Sequence, residues 1–180
     1  LDRVKIYKIQ ILYYVSQNQM QEAIDLNLQA LNLLDVSLSE TPPPDLEIQT
    51  FLDLPEIKDD QKLLAMEMLM TAMPPVYRAA PERLPQFAFT MVRLCLENGN
   101  SSYAAYAYSF YGLVLCSSIV GIESGYQFGQ LSLKLLEQFE TKTLLSKVYA
   151  LFYIFIQPWK EHLVKSIEPL NRGVKLGLET

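Results

Sequence analysis

Apolar residues recur every three or four positions along most of the chain, which is the periodicity of amphipathic α-helices. Polar, glycine-containing or proline-containing breaks divide this pattern into segments of helical length. The predicted helices cover residues 2–16, 20–36, 61–73, 81–97, 102–118, 122–139, 142–157 and 159–179. Short connections favour antiparallel pairing of consecutive helices, so we expect about four helical hairpins.

A proline-rich acidic insert separates the second predicted helix from the third. Pro42, Pro43 and Pro44 lack backbone donors and disfavour helix, so the helical pattern is interrupted between residues 37 and 59. Residues 45–54 nevertheless contain five large apolar side chains. This segment is too apolar for a free loop, and it predicts a short helical turn that packs back on the other helices.

Residues at the ends of the pattern indicate where helices begin and end. The candidate N-caps are Asp2, Asp59 or Asp60, and Asn100 or Ser101. Gly99 can adopt the left-handed conformation that closes the fourth helix. We expect Pro74 and Pro75 to end the third helix and Pro169 to kink the last one.

Two segments share one pattern of small and large residues. Ala23 and Ala30 lie seven residues apart on one helical face, and Gly125 and Ser132 take the same places 102 residues later. The flanking large residues are Ile24, Leu31 and Leu34 in the first segment and Tyr126, Leu133 and Leu136 in the second. The offset is three times the ~34 residues of a tetratricopeptide unit, a helical hairpin that must stack on others to bury its apolar face.

These observations predict an all-α fold, an α–α superhelix of about four helical hairpins that is similar to tetratricopeptide repeats. Residues 1–36 would form the first hairpin, residues 37–59 the insert, and residues 60–180 three further hairpins. We expect the whole chain to be one repeat domain and a fragment of a larger protein.

The negative charge of the chain is concentrated in the insert. Eight acidic residues and one lysine lie between Asp35 and Asp60, whereas the whole chain carries a net charge of −5. The remainder is therefore weakly positive and has no strongly basic stripe, which argues against a nucleic-acid-binding surface. We interpret the acidic stretch as a solvated loop, with contact to a basic partner as the alternative.

The apolar composition, 50% hydrophobic residues, is explained by buried central helices or by a missing neighbouring domain. The uncharged stretch between Glu97 and Glu123 contains four tyrosines and several serines, so it predicts a buried helix and not a membrane span. Cys95 and Cys116 lie in apolar helical pattern without CxxC spacing. They predict reduced, buried thiols in a cytoplasmic protein.

Motifs for catalysis or cofactor binding are missing from the sequence. It contains no GxxxxGK[ST] phosphate loop, no GxGxxG after a strand, and no GxSxG or HExxH. His162 is the only histidine, which argues against a metal site or a Cys–His nucleophile, and we expect it to be exposed or to cap a helix. The sequence therefore predicts no catalytic residue, no metal site and no cofactor.

A peptide-binding groove is the remaining candidate site. In tetratricopeptide arrays the first helix of each hairpin lines the concave surface, and here those helices offer Lys5, Lys8, Tyr106, Phe110 and Tyr103. Lysines and aromatic rings can hold an extended peptide by charge and stacking. The alternative is that the two rings of Tyr106 and Phe110 form core between repeats and that the lysines are solvated.

Three stretches resemble the helical region of very large bacterial signalling proteins. They are ESGYQFGQLSLKLLEQF at 123–139, YIFIQPWKEHL at 153–163, and NGNSSYAAYAYSFYGLVLC before them. In such proteins a serine/threonine kinase-like domain and a STAND-class ATPase precede a tetratricopeptide-like region, and a GAF sensor and often a histidine kinase follow it. The resemblance covers most of the chain but only that helical region, so it assigns no catalytic residue.

The resemblance implies a non-catalytic scaffold or regulatory interaction module within a multidomain ATPase and protein kinase of signal transduction. Its partners would be adjacent domains of the same chain or a peptide effector, with no nucleic acid and no membrane span. The alternative is a free-standing tetratricopeptide-like adaptor that binds a peptide in its concave groove. An enzyme with an unrecognised site is a third possibility.

Overall fold

A computed structural model describes residues 1–139 and 143–179, and within these residues the chain is helical without a β-strand. The helices are α1 (Asp2–Ser16), α2 (Met20–Leu33), α3 (Ile48–Leu52), α4 (Asp60–Ala79), α5 (Leu84–Asn98), α6 (Ser102–Cys116), α7 (Ile122–Gln138), α8 (Leu145–Ala150) and α9 (Ile167–Glu179). The all-α prediction is confirmed. The predicted start of the seventh helix at Lys142 lies outside the described residues.

Several predicted helix ends are confirmed by their hydrogen bonds. Asp59 caps α4, because its carboxylate accepts from the backbone N–H groups of Gln61 and Lys62. Ser101 caps α6 by accepting from the Tyr103 amide, and Gly99 follows α5 with φ 109°. The expectation for Asp2 was wrong, since α1 begins at that residue and its side chain makes no capping bond.

The expectation that Pro74 and Pro75 end their helix was also wrong, because α4 continues to Ala79. Each proline removes one intrahelical hydrogen bond. Pro75 and the following Val76 are buried. Packing of the last part of α4 therefore outweighs the lost hydrogen bonds. Local helix propensity does not include this tertiary contribution.

The C-terminal part departs most from the predicted pattern. Helix α8 continues as a π-helix over Leu151–Ile156, and short 3₁₀ turns at Gln157–Trp159 and Leu163–Ser166 precede α9. The predicted helix from Trp159 with a kink at Pro169 was wrong. Pro169 is the third residue of α9, where a backbone N–H has no partner within the helix, so the proline interrupts nothing.

The chain divides into two compact units, which are described separately. Unit 1 comprises Leu1–Pro43 and Ile57–Asn98, and unit 2 comprises Pro44–Glu56 and the chain from Gly99 onward. The acidic insert is thus divided between the two units. All eight acidic side chains between Asp35 and Asp60 are exposed, which agrees with the solvated loop expected from the sequence.

Unit 1 contains α1, α2, α4 and α5. Ala23 and Ala30 are fully buried on α2, which packs against both α1 and α4, so the small residues lie at close helix contacts as predicted. Across the α2–α4 contact, the buried side-chain amide of Asn27 donates to the carbonyl of Met68 at 2.9 Å. Cys95 is buried on α5, as expected.

Unit 2 is built on the close contact between α6 and α7. Gly112 and Gly125 face each other across it, and a Cβ added to Gly125 would lie 2.5 Å from the Cys116 sulfur and 2.6 Å from the Gly112 carbonyl oxygen. The hydroxyl groups of Ser109 and Ser132 form a buried hydrogen bond of 2.7 Å. Gly125 and Ser132 therefore occupy the contact that their repeated spacing predicted.

The insert contributes part of the unit 2 core, as its apolar composition predicted. The ring of Phe51 on α3 lies 5.0 Å from the ring of Phe128 on α7 and 5.7 Å from that of Tyr108 on α6. Asn100 is completely buried next to this cluster. Its side-chain amide donates to the Phe51 carbonyl at 2.6 Å, its backbone N–H donates to the Pro55 carbonyl at 2.7 Å, and its Oδ1 accepts from the Tyr108 hydroxyl at 2.8 Å.

We expect Gly125→Ala to lower the free energy of unfolding by about 1–3 kcal/mol, because the added methyl group has no space between two packed helices. Gly173→Ala is the matched control. Its added Cβ would lie 3.4 Å from Tyr149, an ordinary contact, so this change should be neutral or should stabilise α9 by up to ~1 kcal/mol. Urea denaturation followed by circular dichroism measures both, and equal effects of the two variants would contradict the close α6–α7 contact.

Candidate functional site: a groove beside helix α7

An open groove of about 570 Å³ lies in unit 2 between α7 and the segment that follows α8; we call it the α7 groove. Helix α7 contributes Tyr126, Gln130, Leu133 and Lys134, which recur at helical spacing on one side of that helix. The opposite side is formed by the π-helix and by residues 157–169. The groove combines aromatic, amide and charged side chains, a composition typical of binding sites.

The aromatic wall of the groove depends on the π-helix. Phe152 packs directly on Gly129 of α7, where an added Cβ would lie 2.5 Å from its ring. Ring centroids lie 5.8 Å apart between Tyr126 and Phe152 and 4.9 Å apart between Phe152 and Tyr153, the latter pair edge to face. π-Helical turns are rare and are often found at functional sites.

A connected set of hydrogen bonds forms the polar side of the groove. The Tyr126 hydroxyl donates to the Glu161 carboxylate, which also accepts from the Lys165 ammonium at 3.0 Å. The Gln130 side chain hydrogen bonds to Tyr126 and the Gln157 side chain hydrogen bonds to Glu161. These polar groups hold one another in place, so they form a preorganised surface.

The protonation states follow from this arrangement. Burial, followed by the hydrogen bond to Glu161, raises the pKa of the Tyr126 phenol to about 12. The hydrogen bond from Tyr126, reinforced by Lys165, lowers the pKa of Glu161. At neutral pH Tyr126 is therefore a hydrogen-bond donor and Glu161 an anion. Neither is tuned for proton transfer near neutrality, and the arrangement suits binding rather than acid–base catalysis.

A second recess, of about 500 Å³, lies between α3 and α7; we call it the α3 recess. Its α3 side is formed by Glu47, Ile48 and Gln49. Gln130 and Lys134 line both this recess and the α7 groove, and both side chains are exposed. The exposed ridge of α7 therefore separates two neighbouring depressions.

Unit 1 has a smaller cavity of about 240 Å³, beside residues 35–39. It is lined by side chains of both signs, including Lys62, Arg93 and Glu97. This mixture of charges favours neither an anionic nor a cationic ligand.

The lysines predicted to bind peptide lie in unit 1. Lys5 is exposed and its ammonium lies 3.8 Å from the Asp2 carboxylate on the same helix. The Lys8 ammonium forms an ion pair of 2.6 Å with Glu67 of α4. The Lys8 charge is thus already paired, and part of its predicted binding capacity is used within the protein.

The aromatic residues predicted to bind peptide lie in unit 2. Tyr106 and Phe110 are 8% and 4% exposed, and their stacked rings lie 6.2 Å apart. Burial raises the pKa of Tyr106. Tyr103 is half-buried. The α7 groove is lined by other residues, so a peptide bound there would not touch the rings predicted from the sequence.

The sequence contained one signal for the groove that the repeat pattern did not use. The run from Tyr153 to Glu161 places aromatic residues, an amide and a carboxylate close together, and Lys165 lies four residues after Glu161. His162 is exposed, and its Nδ1 accepts from the Val164 amide, as its expected capping role requires.

Two general searches of the described part of the chain gave negative results. No helix there is both long enough and apolar enough to cross a membrane. No group of three or more histidine, cysteine, aspartate or glutamate side chains is arranged to hold a metal ion within residues 1–139 and 143–179.

Comparison with known proteins gave no match to a family model, to a curated protein or to a solved structure.

The raised phenol pKa values predict that the protein loses stability at alkaline pH. The pKa values of Tyr106, Tyr111, Tyr126 and Tyr153 are all raised, mainly by burial. A phenol whose pKa is raised in the folded protein stabilises the folded state, and this contribution is complete below pH 10.0, the ordinary pKa of tyrosine. The contribution is lost as the pH rises through the pKa in the folded state, which is about 12 for Tyr126.

The measurement is urea denaturation at a series of pH values up to about 12. Tyr126→Phe should make the loss of unfolding free energy at alkaline pH smaller, whereas Tyr13→Phe, at an exposed ring, should leave this loss unchanged. A free energy of unfolding that stays constant between pH 10.0 and about 12 would contradict the half-buried, hydrogen-bonded state of Tyr126.

Proposed function

We propose that this chain is a non-catalytic helical-repeat interaction module that binds a segment of protein in the α7 groove. The observation that carries the proposal is the groove itself, in which half-buried aromatic rings lie beside a connected polar network. Rigid aromatic surfaces with satisfied polar groups are the features that peptide-binding grooves use for affinity and orientation.

The proposed architecture is a tetratricopeptide-like superhelix of about four hairpins. Consecutive helices pack in pairs with short connections, α1 with α2, α4 with α5, α6 with α7, and α8 with α9 through a longer connection. Ala23 and Ala30 in one pair and Gly125 and Ser132 in another lie at close contacts, which supports a common repeat unit.

The proposed setting is a multidomain ATPase and protein kinase of signal transduction, in the cytoplasm, as the resemblance of residues 123–139 and 153–163 implies. There the module would connect a nucleotide switch to an output domain, and its ligand would be an adjacent domain or a peptide effector. The second candidate is a free-standing adaptor. It is supported by the α7 groove, whose lining comes entirely from unit 2 of this chain.

Panning of a random-peptide phage library on the immobilised chain tests the proposed function. We expect enriched peptides whose binding is lost in Tyr153→Ala and kept in Tyr153→Phe, because the ring forms the groove wall. Tyr77→Ala removes an exposed ring of unit 1 and should leave binding unchanged.

Two results would contradict the proposal. One is that no enriched peptide depends on the ring at position 153. The other is tight Mg·ATP binding or kinase activity by the purified chain, which would replace the scaffold role with a catalytic one.

A further inference from the structure

The α7 groove and the α3 recess are adjacent depressions that share two lining residues, Gln130 and Lys134. We propose that together they bind an extended peptide segment that carries one side-chain carboxylate next to an aromatic or large aliphatic side chain. This inference rests on the proposed function and specifies its ligand.

The charge of the ligand follows from which groove charges are already paired. The Glu161 carboxylate is bound by both Tyr126 and Lys165, so these groups largely neutralise one another. The ion pairs found among the described residues do not include Lys134, which is exposed on the ridge. Among the residues that line the two depressions, Lys134 is thus the cation available to a ligand, and its natural partner is a carboxylate.

A single carboxylate fits better than a run of them. Glu47 lines the α3 recess on one side of Lys134, and Glu161 lines the α7 groove on the other. A second acidic side chain on the α3 side of the first would approach Glu47 and be repelled. On the other side it would gain no partner, because Lys165 is already paired with Glu161. The surface therefore selects against polyacidic segments as well as for one acid.

The apolar side chain follows from the wall of the groove. Leu133, Tyr126 and Tyr153 are half-buried around the buried ring of Phe152, so each still exposes part of its apolar surface. An aromatic or large aliphatic side chain placed here would bury apolar area against rings that are already fixed by ring–ring contacts. Fixed rings lose little conformational freedom on binding, which favours affinity.

Two glutamines of α7 can hold the peptide backbone. Gln127 lines the α3 recess, Gln130 lines both depressions, and both side chains are exposed. A glutamine side chain has both a carbonyl acceptor and an amide donor, so it can pair with a peptide N–H or C=O. Pairing with the backbone does not depend on the sequence of the peptide, so Lys134 and the apolar wall determine which peptides bind.

The test uses fluorescein-labelled peptides in fluorescence anisotropy titrations. The probes are GSDFGS, GSNFGS without the carboxylate, GSDSGS without the apolar ring, and GDDFDG with extra acids. We expect GSDFGS to bind the full chain about tenfold more tightly than each of the other three, a difference of about 1.4 kcal/mol. Lys134→Gln should abolish the preference for aspartate over asparagine, so that GSDFGS and GSNFGS bind with about equal affinity. Lys147→Gln, at an exposed lysine outside both depressions, should preserve it.

The results separate this inference from the proposed function. If library peptides bind in a Tyr153-dependent way but aspartate has no advantage, or its advantage survives Lys134→Gln, the inference is wrong and the peptide-binding module stands. If neither the library peptides nor the labelled peptides bind in a Tyr153-dependent way, both this inference and the proposed function are wrong. Circular dichroism of Lys134→Gln verifies its fold, and the exposure of this side chain predicts that the fold is retained.

Discussion

The buried amide of Asn100 is the interaction on which the arrangement of unit 2 depends. The Asn100 side-chain amide donates to the Phe51 carbonyl, its backbone N–H donates to the Pro55 carbonyl, and its Oδ1 accepts from the Tyr108 hydroxyl. Two hydrogen bonds therefore reach the insert and the third reaches α6. Asn100 is completely buried, so its polar groups would be unsatisfied in the interior without these bonds. Because α3 is held in this way, Glu47, Ile48 and Gln49 can form the outer side of the α3 recess.

Helix α7 connects this core to the proposed function through its two faces. On one face Gly125 and Gly129 allow α6 and the π-helix to approach closely. On the other, Gln130 and Lys134 stand between the two depressions. Close packing on the first face fixes the position of the second, and a fixed surface is what a binding site of modest area needs. The same helix is therefore both the structural centre and the proposed recognition element.

The sequence predicted the local features of this fold but not those determined by packing between distant segments. Periodicity located α1, α6 and α7 closely, and repeated small residues marked the contact at Gly125 and Ser132. The continuation of α4 through Pro74 and the π-helix at 151–156 depend on tertiary contacts. The groove was missed for the same reason, since Tyr126 and Glu161 meet from segments that no local pattern connects.

Hydrogen exchange of the wild-type backbone amides tests most directly whether the insert belongs to the core of unit 2. The amide of Asn100 donates to the Pro55 carbonyl at 2.7 Å, and the account predicts that it exchanges as slowly as the amide of Ser109 in the buried centre of α6. Exchange of the Asn100 amide as fast as that of an open loop, while the Ser109 amide stays protected, would contradict the account. It would show that the insert is not part of the folded core and that the α3 recess is not a preformed site.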